Sequence, residues 1–204
     1  MKPTTATVRA YGILLVAAAL SGCVRDSKPT QFYRLTAQTQ SGDASKIATN
    51  PSPLIGLGAI RIPEYLNRPQ LVAAISDHQY QLAEDHRWAE RLDQNIALAL
   101  YQALPRLLGT DRLVRYPWAQ RLSPDYQIDI DILEFHIDAQ GQSRLVAQWA
   151  IKHNGLPSIS KRSAYQLPAS TTDYGVMVSA QSQCLGKLAE DIAQALRQML
   201  IGKP

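Results

Sequence analysis

The residues most able to do chemistry lie near the start of the chain. Lys2 and Arg9 supply positive charge, Tyr11 to Leu20 is unbroken by charge, and Leu20-Ser21-Gly22-Cys23 follows directly. A basic start, a short apolar stretch and small residues before a cysteine predict a signal peptide over residues 1–22. The apolar stretch is too short to span a bilayer, which takes ~20 residues. Ser21 and Gly22 let an extended chain enter a peptidase, and the Cys23 thiol can accept a diacylglyceryl group before cleavage. Cys23 is therefore expected to be the lipidated first residue of the mature protein, with 23–30 as a polar tether. Val24 stands where enteric bacteria place Asp to hold a lipoprotein on the inner membrane, so an outer-membrane anchor facing the periplasm is expected.

Other reactive side chains form no local constellation. The four histidines His78, His86, His136 and His153 stand apart from one another, without the spacing of a zinc site. No serine elbow, phosphate loop or dinucleotide fingerprint is present. Asp129 and Asp131 share one face of a predicted strand and could mimic an acid/base pair. Their parity, however, is that of the polar face, and a solvated pair is the expectation. The sequence thus predicts no catalytic residue, no metal ligand and no cofactor beyond the lipid on Cys23. Losing Lys2 and Arg9 with the leader lowers the net charge from +4 to +2, which gives no electrostatic case for nucleic acid. Cys184, the other cysteine, falls on an apolar helical stripe, where a packed thiol is expected.

The elements that must position any site follow from periodicity. Phe32 to Leu35, Leu54 to Ile62 and Gln70 to Ser76 read as strands, with a further short one at 78–83. Residues 38–53 are rich in Ser, Thr, Asn, Gly and Pro, and predict a mobile loop. Trp88, Leu92, Ile96, Ala99, Ala103 and Leu107 recur at helical spacing, with Asp85 as a cap and Pro105 with Gly109 bending or ending the helix. Tyr126, Ile128, Ile130 and Ile132 alternate with polar residues, and the parity then shifts to Leu133, Phe135 and Ile137. A β-bulge at Ile132-Leu133 accounts for that shift. Runs at 145–151 and 161–167 complete an antiparallel meander. A closing helix over about 176–201 buries Met177, Cys184, Leu188, Ile192, Ala195 and Met199, and Gly202 is placed to stop it. The sum is one α+β domain over 31–204, a mixed, largely antiparallel sheet packed against two long amphipathic helices.

One segment stands out as a presented surface. Pro63 and Pro69 bracket Glu64-Tyr65-Leu66-Asn67-Arg68 between two strands, so the loop is stiff. Tyr65 and Arg68 are the candidate partner-binding residues, the alternative being a rigid turn with Tyr65 and Leu66 packed on the core.

The lipobox with Cys23, Phe32-Tyr33-Arg34-Leu35, the Ile62 to Val72 stretch and Arg87-Trp88-Ala89-Glu90 occur in the order found in one family. With Trp149 and the closing helix, they make the chain resemble the PqiC-type family of ABC-type transport auxiliary lipoproteins, associated with intermembrane lipid transport. Asn67 replaces the family's common Asp, and Arg91 its common Pro. The resemblance implies a non-enzymatic adaptor at the outer-membrane end of a conduit, with an MCE-domain protein of an inner-membrane transport complex as partner. A second copy of the chain and outer-membrane lipid are further partners to consider, and phospholipid is the implied cargo. Two other functions compete: a carrier holding acyl chains between sheet and helices, and a periplasmic hydrolase.

Overall fold

The computed structural model describes residues 29–39, 52–119 and 121–201. The predicted signal peptide, Cys23, most of the tether, most of the 38–53 loop and Gly202 lie outside them.

The organising strand is the alternating one. Strand β6 (Tyr126–Ile137) turns Tyr126, Ile128, Ile130 and Ile132 inward, all buried. Its antiparallel register with β7 (Gln142–His153) shifts between Ile132 and Glu134, so the expected bulge is there. The extra residue restores Phe135 and Ile137 to the inward face and turns Glu134 and His136 outward, while Leu133, expected to open the shifted apolar series, is itself the bulged residue and is exposed. β8 (Leu156–Pro168) continues the meander through Asn154 and Gly155, whose positive φ of 50° and 80° suit a two-residue hairpin turn.

Because β7 occupies one edge of β6 throughout, two strands share the other edge. β2 (Ile55–Arg61) runs parallel to its first half, and β3 (Gln70–Ser76) meets it at Ala73 and Ile137. β4 (Gln79–Trp88) pairs antiparallel with β3. β1 (Gln31–Tyr33) lies parallel on β4, and β5 (Leu113–Arg115) parallel on β2. The eight strands form one mixed sheet whose longest ladders are antiparallel.

Helices α1 (Leu92–Leu108) and α2 (Tyr174–Ile201) pack together on one face. Both bury most of the predicted stripes, though Met199 is only half-buried, and Cys184 is fully buried with its Sγ 3.6 Å from Ser143 Oγ. Burial pushes its thiol pKa up, as expected for an inert packed cysteine. Gly109, at φ 67°, ends α1, and Pro105 sits inside the last turn without breaking it.

The start of α1 differs from expectation. Trp88 and Asp85 belong to β4, not to a helix or its cap. Trp88 N donates to Pro69 O at 2.7 Å and Ala89 N to Tyr33 O at 2.8 Å, so pairing with neighbouring chain claims the residues that helical spacing alone would assign to α1. Strand β5 and the full length of β8 also go beyond the sequence pattern.

After β1 the chain crosses the helix pair as a strap. Leu35 N donates to Asn95 Oδ1 of α1 at 3.0 Å, and Thr36 N to Ser182 Oγ of α2 at 3.2 Å. Leu35 and Ala37 are buried between them. Gln38 then passes so close to α2 that a Cβ on Gly186 would lie 1.7 Å from its carbonyl oxygen. The first residues of the predicted mobile loop are therefore packed on a helix.

Candidate functional site

Pro63, at φ −63°, enters a single 3-10 turn over Glu64–Leu66, closed by Leu66 N to Pro63 O at 3.0 Å and Asn67 N to Glu64 O at 3.1 Å. Leu66 drops into the core. Tyr65 lies half-buried on the opposite side of the turn, its ring stacked on Tyr80 of β4 with centroids 4.7 Å apart. Its hydroxyl shares a 3.3 Å hydrogen bond with His136 Nδ1, and Tyr80 meets the same imidazole edge-on at 5.4 Å.

These three rings form one wall of a groove of about 350 Å³ on the sheet face opposite the helices. The turns after β3 and β6 supply Asp77 and Asp138, while Glu134 of β6 and Arg144 of β7, diagonal across the ladder, are ion-paired. Asp138 also orders its own turn, accepting from Gln140 N at 3.0 Å and Gln142 N at 2.8 Å. The bulge at Ile132 is what places Glu134, His136 and Asp138 here, since each is two residues from the next on the outward side.

Electrostatics follow from burial. The Tyr65 phenol is raised well above its ordinary value, chiefly by burial and then by Tyr80. Burial lowers the pKa of His136, with Arg144 acting in the same direction and Glu134 and Asp138 against it. Arg144 is raised first by its bond to Glu134.

A pH dependence follows. The unfolded imidazole, at its ordinary 6.5, takes a proton before the folded one does as pH falls. The unfolded state then binds more protons, so stability contributed by neutral His136 is complete above 6.5 and declines below it. The melting midpoint is expected to drop between about pH 7.5 and about pH 5.5, and to drop less in His136→Gln. Equal drops in the two proteins would contradict this.

Tyr65 lies in this groove, but Arg68 does not line it. The Arg68 Nε is buried without a hydrogen-bond partner among the described residues. Tyr80 and His136 carry no motif, and only the parity shift in β6 marks the outward turn of His136.

The carboxylate pair of the sequence is divided between separate cations. Asp129 binds Lys152 at 2.7 Å, and Asp131 binds Arg61 through Nη2 at 2.8 Å. The histidines stay apart: His86 stacks on Tyr174 at 3.7 Å and bonds Tyr33 Oη at 2.8 Å, while His153 stacks on Tyr126. Among the described residues no group of three or more His, Cys, Asp or Glu is placed to hold a metal, and no helix is long and apolar enough to cross a membrane.

The model of the ABC-type transport auxiliary lipoprotein component matches residues 33–193. The chain belongs to that family. The auxiliary lipoproteins similar to it include the intermembrane transport lipoprotein PqiC of Escherichia coli K12, 25% identical over 92% of this chain and 97% of PqiC. Two crystal structures share the fold. One, of a Xanthomonas campestris protein, has a TM-score of 0.68 at 15% identity over 80% of this chain and 93% of that one. The other has a TM-score of 0.66 at 22% identity over 83% and 99%. The auxiliary lipoprotein family thus accounts for the α+β architecture and for almost the whole described chain.

Proposed function

We propose that this auxiliary lipoprotein is a non-enzymatic docking component of an MCE-type intermembrane phospholipid transport system, anchored in the outer membrane through Cys23 and facing the periplasm. The match of the family model to residues 33–193 carries the proposal, supported by similarity to PqiC along nearly its full length. Gln31 lies eight residues after Cys23, a reach of at most ~29 Å. The β1 edge would therefore stay close to the bilayer, and the strap fixes that edge to both helices. Tethering of this kind raises the local concentration of the domain near a partner spanning the periplasm.

The interior weighs against a carrier. Ile128, Ile130, Trp149, Leu188 and Ile192, between sheet and helices, are each at most 1% exposed. The opening beside α2, lined by Leu71, Met177 and Gln181 among others, encloses about 30 Å³, room for roughly one water rather than an acyl chain.

Crosslinking in intact cells tests the docking function. An MCE-domain protein of the inner membrane is expected among the captured proteins, with less of it captured by the Tyr65→Ala/Arg68→Ala variant. Removing the half-buried Tyr65 ring should also cost ~2 kcal/mol, so Tyr65→Phe, which keeps the stack, serves as the folded control. Capture of no inner-membrane protein by the wild type would contradict the proposal.

A further inference from the structure

The groove beside Tyr65 has an imbalance of charge. Asp77, Glu134 and Asp138 supply three carboxylates against the single guanidinium of Arg144, and burial disfavours a charge on His136. Arg144 is already committed to Glu134. An anionic phosphate entering here would meet more negative than positive charge. A cation would meet the reverse, together with the exposed ring of Tyr80, 42% accessible and backed by Tyr65. Tyrosine faces attract guanidinium and ammonium groups through the ring quadrupole. The groove's volume of about 350 Å³ leaves room for one long side chain.

Its place in the fold gives a second argument. β4 begins beside the groove at Tyr80 and ends at His86–Trp88, where it pairs with β1, the strand nearest Cys23. From Tyr80 to Arg87 the strand spans roughly 23 Å at ~3.3 Å per residue. With the chain anchored at Cys23, the groove lies at the far end of β4 from the tethered strand.

We propose that this groove receives a lysine or arginine side chain of a protein partner. The proposal rests on the docking function above and names the chemistry of one contact in it.

The test uses the mature lipidated chain in a zwitterionic detergent. The probes are a short arginine peptide and its citrulline counterpart, each carrying a photoreactive diazirine. Citrulline keeps the shape and removes the charge. Labelling is expected within 65–80 and 133–144, at least about tenfold stronger for arginine, and to fall about tenfold in Asp77→Asn/Tyr80→Ala. Asp77 is exposed, but Tyr80→Ala removes one ring of the Tyr65 stack, so the variant should melt a few degrees below the wild type. Labelling is therefore compared at a temperature where both are folded.

Equal labelling by the two peptides, labelling elsewhere, or full labelling of a normally folded variant would overturn the proposal. So would protection of the groove by phosphatidylglycerol vesicles but not by phosphatidylcholine ones, which would make an anionic lipid headgroup the occupant. In intact cells, undiminished capture of the inner-membrane protein by the variant overturns the groove's role while docking stands. Failure of the wild type to capture it overturns docking, and the groove is then judged on the peptide labelling.

Discussion

Cys23→Ala is expected to abolish the acyl mass of the protein and to remove it from the outer-membrane fraction, leaving it uncleaved or released in soluble form. Without that thiol no thioether can form, and the remaining cysteine, Cys184, is fully buried in the helix–sheet core. Each buried CH₂ contributes ~0.8 kcal/mol to membrane binding, and one chain alone holds only marginally, so losing every chain is an all-or-none change. Among the described residues no helix can take over the anchoring. Intact mass and membrane fractionation of the two proteins measure this. Outer-membrane fractionation of the variant, with no acyl mass on the wild type, would contradict it.

Gly186→Ala is expected to lower stability by about 3 kcal/mol. The new Cβ would fall 1.7 Å from Gln38 O and 2.6 Å from Gln38 C, backbone atoms that cannot rotate away. Either the helix retreats or the strap lifts, and lifting exposes Leu35 and breaks its bond to Asn95, together worth ~2–4 kcal/mol. For a domain of this size the melting midpoint should fall by roughly 6–12 °C. Leu35→Ala should add little in the Gly186→Ala background, because the strap is already displaced. Calorimetry of the two single variants and the double variant tests the coupling. Full additivity would show that the strap does not yield at Gly186.

The same strap shows where the sequence becomes unreadable. Phe32 to Leu35 alternates like a strand, yet only residues 31–33 pair, and Leu35 and Ala37 use the alternation to bury themselves between two helices. Asn95 on the apolar face of α1, and Ser182 and Gly186 on α2, are its local traces. In β6, by contrast, the parity shift at Ile132 was enough to place a bulge and to turn the residues beyond it outward. Gln70–Ser76 and the α2 stripe were equally legible, since burial of one face fixes the periodicity. Trp88 misleads because its four-residue spacing to Leu92 is a helical period, while its backbone bonds are made to distant Pro69. β8 has an exposed edge and no fully buried residue, so its hydrophobic pattern is weak and only its 161–167 stretch was legible. Of the groove, Tyr65 was marked by its bracketing prolines. Tyr80 and His136 come from other strands, and no local pattern joins them to it.

Docking itself can be measured with purified components. The mature chain, delivered in lipid nanodiscs, is titrated with the periplasmic region of an MCE-domain protein from the same organism. A tether supplies an effective concentration of order mM, so an intrinsic Kd of ~100 µM or tighter suffices for function. A saturable one-to-one or ring-stoichiometric complex with a Kd in that range is the result expected. No association at ~1 mM, the concentration that tethering provides, would contradict the account.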